Sequence, residues 1–137
     1  AGAEALLRRV GYGIREVTAG DDCWHVRVTL SPGGGSSSGG GSGGGADGSG
    51  SPVAVDAPGG GLPPLRPSEL PQFVHTAAHD AVLAGLLQDH ALGRHLLLVG
   101  DRGWGKSAVA RALAACLGYR SETVALYRDM TARDLLQ

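Results

Sequence analysis

Eight consecutive residues, Gly100-Asp101-Arg102-Gly103-Trp104-Gly105-Lys106-Ser107, fall in the pattern G-x-x-x-x-G-K-[ST]. Each residue type has a physical reason to stand where it does. Glycines let the backbone close around an anion with several N–H groups turned inward. A helix that starts directly after such a loop aims its positive end at the same anion. Lys106 is then placed to reach the β- and γ-phosphates of a nucleotide, and the Ser107 hydroxyl to bind Mg2+. All eight residues are therefore candidate nucleotide ligands, Ser107 is the candidate metal ligand, and ATP with Mg2+ is the expected cofactor pair. The chain has 12 basic residues, and its single lysine stands at the one position where this chemistry requires it. Trp104 is unusual in a loop that favours small residues. Its ring is expected to point to solvent, the alternatives being that it shields the phosphates or touches a neighbouring subunit.

The loop works only if a strand delivers it and a helix follows it. Arg94 to Val99 reads as a short buried strand, and Gly105 to Leu117 as a helix with Val109, Leu113, Cys116 and Leu117 inward and Gly118 as its stop. Ahead of them, Thr76 is a reasonable N-cap for a helix over 77–90. Val82, Leu83, Leu86 and Leu87 form its apolar stripe, and His79, Asp80 and Gln88 face away. Thr123 to Tyr127 reads as the next strand, and Thr131 to Asp134 resembles a capping box opening another helix. Strand, helix and strand joined by a short crossover imply parallel strands and an α/β fold, here a partial P-loop core over 73–137.

Upstream, 24 glycines in 137 residues are concentrated locally, 14 of them in residues 31–61. Residues 31–72 are accordingly expected to be a flexible, disordered Gly/Ser/Pro-rich linker, stiffer over the proline-rich stretch 62–71. Residues 1–30 read as a short helix over 3–10 plus a hairpin of strands 12–18 and 23–30. On the second strand Trp24, Val26, Val28 and Leu30 share one face. This piece is the possible tail of a preceding module.

Other chemistries find little support. His75 and His79 have i, i+4 spacing, but Thr76 stands where H-E-x-x-H needs glutamate, so a solvated pair is expected. Cys23 and Cys116 form no C-x-x-C pair, and Cys116 belongs to an apolar helix face. A net charge of -1 offers no basic excess for nucleic acid. Apolar runs are too short to span a membrane. The chain begins at Ala1 with no visible targeting segment and reads as part of a longer protein.

From about Phe73 onward the chain resembles the dynein- and midasin-related branch of the AAA+ ATPases. The finer loop form G-x-x-G-x-G-K-S carries the resemblance, together with Asp129-Met130-Thr131-Ala132-Arg133-Asp134-Leu135-Leu136 after the second strand. A large mitochondrial member with several ATPase modules is similar over Phe73 to Asp80 and over 126–137. The resemblance implies a ring-forming ATPase that couples hydrolysis to remodelling of a partner, with the nucleotide, other copies or neighbouring ATPase modules as partners. It also implies a mitochondrial location, and puts Phe73 to Thr76 near the adenine. No hhhhDE run occurs in the chain, so no catalytic residue is assigned, Asp129 and Asp134 included, and hydrolysis by these 137 residues alone is not expected. A P-loop kinase or transferase is the alternative enzyme reading. A nucleic-acid-binding module built on residues 3–30 is a further one, opposed by four arginines balanced by four acids there.

Overall fold

The computed structural model describes residues 12–32, 51–134 and 136. The helix expected at 3–10 and the glycine-serine tract over 33–50 lie outside the described residues. The hairpin forms as its alternation demands. Strand β1 (Tyr12–Ala19) pairs antiparallel with β2 (His25–Pro32), with a bulge between Ile14 and Glu16. Val26, Val28 and Leu30 of β2 are fully buried, while His25 and Arg27 on the other face are exposed. Trp24, expected to share the face of Val26, Val28 and Leu30, lies in the turn and is exposed.

Two expectations are corrected here. The linker expected over 31–72 is ordered structure from residue 51 onward. Val53–Pro58 forms β3, which pairs antiparallel with β2 from Leu30 opposite Val53 to His25 opposite Pro58. Val-Ala-Val-Asp-Ala-Pro is a short alternating strand, and partner contacts outweigh the prolines and glycines around it. Arg27 and Asp56 meet across this pair on the solvent face at 2.7 Å. The hydrogen bond from the guanidinium holds the Asp56 carboxyl below its usual range.

The second correction concerns the parallel strands. Among the described residues the sheet has the order β1-β2-β3 and is wholly antiparallel. Neither 94–99 nor 123–127 pairs into it. The first of these still alternates like an extended segment. Leu98 packs on the core, whereas Leu97 and Val99 are each 85% exposed. An apolar run becomes a strand only when a neighbour accepts its backbone hydrogen bonds. Among the described residues the chain is still α/β, a three-stranded sheet with two α-helices.

Helix α1 (Ala77–Ala91) starts at Thr76, whose side chain accepts the His79 N–H, and packs against β1 and β3. Helix α2 (Lys106–Cys116) packs against α1. Leu83, Leu87, Leu117, Val26 and Val28 are fully buried together between the layers, and each such side chain contributes about 2 kcal/mol. With the sheet on one side and α2 on the other, the covered arc of α1 is wider than its apolar stripe. Gln88, expected outside, is only 6% exposed, and its Oε1 has no partner among the described residues. Cys116 is core, as its position on α2 implies. Burial pushes its thiol up to about 12, and the Glu69 carboxylate adds to the rise. Over the described residues no helix is long and apolar enough to cross a membrane.

The run Gly59-Gly60-Gly61-Leu62 runs between the β1–β2 turn and the end of α2. Its N–H groups donate alternately to either side: Gly59 to Trp24 O at 2.8 Å, Gly60 to Leu117 O at 2.9 Å, Gly61 to Cys23 O and Leu62 to Gly118 O at 3.1 Å. Pro58 O, at the head of the run, accepts from Tyr119 Oη and faces His90 Nε2, each at 3.2 Å.

Both helices end alike. Gly93 and Gly118 have φ of 71° and 69°, and the N–H that follows each reaches back to Asp89 O or Ala114 O. A Cβ on Gly93 would meet open space, but one on Gly118 would collide with the Leu62 carbonyl. Gly93→Ala is therefore expected to cost about 1 kcal/mol, and Gly118→Ala about 2 kcal/mol or more. Urea unfolding of the two variants checks the difference, and equal losses would contradict the close approach of Leu62.

Candidate functional site

The extended segment 94–99 leads into the loop, and α2 leaves it at Lys106. Gly103 and Gly105 take φ of 91° and 78°, left-handed values that bend the chain back toward the helix. Gly105 is the N-cap of α2 and no side chain caps it. The first-turn N–H groups, which have no intrahelical acceptor, are thus left to an outside anion. Gly100 to Ser107 are brought together in one turn-and-helix start, as the motif requires.

Lys106 does not extend into solvent. Its Nζ donates to Gly100 O at 2.7 Å and to Asp101 O at 2.5 Å, so the cation closes the loop on itself. Phosphate oxygens carry more negative charge than carbonyls and compete well for the same ammonium. Ser107 is exposed at the second position of α2, and Asp101, Arg102 and Trp104 are exposed on the loop. The Trp104 ring, 64% accessible, points outward.

Beside the first turn of α2 lies a cavity of about 210 Å³. Leu70, Pro71 and Phe73 form one wall, and Ala108, Ala112 and the Arg111 stem the other. A short 3-10 turn over Pro67–Glu69, with Arg66 N donating to Glu69 Oε2 at 2.8 Å, sets the path of that first wall. Phe73 is fixed edge-on against His75 at 4.9 Å between ring centres.

The two histidines with metal-like spacing have separate partners. His75 Nδ1 lies 3.2 Å from Asp80 Oδ1. His79 lies between two carbonyls, Val74 O at 3.1 Å and Trp104 O at 3.2 Å. Among the described residues no group of three or more His, Cys, Asp or Glu side chains could hold a metal ion. The carboxylate of Asp134 is engaged locally. It accepts from the Thr131 N–H and hydroxyl at 2.9 Å each, and these bonds, the backbone one first, lower its pKa. The helix expected to open there is a single turn among the described residues. Spacing marks His79 only as half of a metal-like pair; its link to the loop joins residues 25 apart, and no local pattern marks that contact.

Residues 95–137 match the AAA domain of the dynein-related subfamily. The C-terminal segment of the chain is similar to that AAA branch. The match points to a nucleotide-binding, ATPase-type function for this segment. The chain is also 39% identical over 89 residues to von Willebrand factor A domain-containing protein 8 of Mus musculus. The aligned part is 65% of this chain but 5% of that protein, so the chain spans a small fraction of the relative's length. No solved structure matches.

Trp104 is an exposed loop residue whose side chain should cost little to remove. Trp104→Ala is expected to change stability by under about 0.5 kcal/mol, because the ring is solvated. A thermal melt checks this, and a large loss would mean that the indole is packed.

Proposed function

We propose that residues 100–107 bind the phosphates of ATP with Mg2+, as the nucleotide loop of an AAA+ ATPase module. The observation that carries the reading is the loop itself. Glycine-hinged backbone, an uncapped helix start and a lysine folded over the carbonyls of Gly100 and Asp101 are concentrated at one point. On this reading the loop and first-turn N–H groups hold the β-phosphate, and Lys106 exchanges its carbonyl partners for phosphate oxygens. The Ser107 hydroxyl is a hard, exposed oxygen donor. It fits one ligand position of Mg2+, the others coming from phosphate and water. Bound there, the ion neutralises phosphate charge. The cavity between Leu70–Phe73 and α2 adjoins the same turn, and its apolar walls suit the flat face of a base.

The wider proposal follows from the resemblance to the AAA branch. The module couples ATP hydrolysis to remodelling of a partner, assembles with like modules into a ring, and works in the mitochondrion. The 137 residues contain no hhhhDE run to position an attacking water. Weak binding at most, without turnover, is therefore expected of the chain alone. A kinase reading gains no specific observation here.

Titration calorimetry with Mg·ATP tests the site. Lys106→Ala is expected to weaken binding at least tenfold, since a charge-assisted contact to phosphate is lost. It should shift stability by under about 1 kcal/mol, because the two bonds it breaks are exposed. Equal affinity of the two proteins for Mg·ATP would exclude this site.

A further inference from the structure

The peptide between Trp104 and Gly105 adjoins a glycine in the left-handed region. It pivots on ψ of Trp104 and on φ of Gly105, a glycine at 78°, where rotation costs little. The peptide before it is tied only loosely, the Trp104 N–H reaching Asp101 O at 3.5 Å, the limit of a hydrogen bond. What holds the peptide between Trp104 and Gly105 comes from another element. His79, in the first turn of α1, places Nε2 3.2 Å from the Trp104 carbonyl oxygen. The ring rests close against Gly105, where a Cβ would come within 3.3 Å of Nε2.

His79 is itself fixed. Its own N–H donates to Thr76 Oγ1 at 3.1 Å, its Nδ1 faces Val74 O, and Phe73 lies 5.9 Å away, ring centre to ring centre. A carbonyl oxygen only accepts, so the Trp104 contact is a hydrogen bond in the tautomer with the proton on Nε2. A neutral ring carries one N–H and serves one of its two carbonyls at a time.

In a trans peptide the C=O and the following N–H point in opposite directions. Drawing the Trp104 oxygen toward α1 therefore turns the Gly105 N–H away from α1. We propose that His79 is a positioning residue for the nucleotide loop: by holding the Trp104 carbonyl, it aims the Gly105 N–H at the phosphate. A peptide already held need not be ordered on binding, so affinity rises without any contact between His79 and the ligand. The inference rests on the nucleotide reading above.

The test measures Mg·ATP affinity by calorimetry for the unaltered chain and for His79→Phe, His79→Asn, His79→Gln and Lys106→Ala. The Gly105 amide resonance is recorded in each without nucleotide. A glutamine amide reaches about as far as Nε2, whereas an asparagine amide stands near Nδ1. His79→Phe and His79→Asn are expected to weaken binding by about fivefold to tenfold and to shift the Gly105 resonance, and His79→Gln to restore both. A merely structural role would not separate asparagine from glutamine. Unchanged affinity in His79→Phe and His79→Asn, with binding lost in Lys106→Ala, would overturn the inference and leave the nucleotide reading standing. Glutamine behaving like phenylalanine would also overturn it. No binding by the unaltered chain, or equal binding by Lys106→Ala, would remove the nucleotide reading and the inference with it.

Discussion

Four backbone hydrogen bonds from Gly59, Gly60, Gly61 and Leu62 join two parts of the molecule that local sequence would leave separate. The segment donates alternately to the β1–β2 turn and to the carbonyl end of α2, so one short run ties the sheet to the helix that follows the 100–105 loop. Side chains would prevent this. A Cβ on Gly60 would sit on the Gly118 carbonyl, and one on Gly59 on the Cys23 carbonyl. Backbones this close need glycine for space rather than for flexibility. Buried N–H and C=O groups that would otherwise lack partners find them here.

The loop inherits its position from that junction. At its far end, α2 is held by the glycine segment, and its middle packs through Val109 and Leu113 into the core. The start of α2 is left uncapped with Gly105 in a left-handed conformation, which leaves N–H groups for a ligand. Stabilising contacts and unsatisfied donors are thus at opposite ends of one eleven-residue helix. The link from His79 to Trp104 adds a tie from α1 to the loop, so both helices bear on the same turn.

What could be read from the sequence was local. The hairpin, both helices, their glycine ends and the loop each announce themselves within about a dozen residues, through alternation, capping and helical spacing. Cys116 as core and Trp104 as a solvated ring were legible for the same reason. The glycine segment was not. Gly59-Gly60-Gly61 has the composition of the tract before it, and only its neighbours in space, Cys23, Trp24, Leu117 and Gly118, distinguish a packed segment from a linker. Strand β3 was hidden likewise, because its partner Arg27 opposite Asp56 is 29 residues away. The parallel strands failed for the converse reason. Leu96 to Val99 has the composition of a buried strand, but pairing depends on a neighbour that no composition supplies.

The most direct measurement is amide hydrogen exchange of Gly59 to Leu62, read beside the Leu117 amide, which donates to Leu113 within the core-facing end of α2. If the segment joins sheet to helix, all four amides exchange slowly and with protection similar to that of Leu117, since they open only when the junction opens. Exchange of the four at the rate of an unstructured chain, with Leu117 still protected, would contradict the account and return residues 59–62 to the status of a linker.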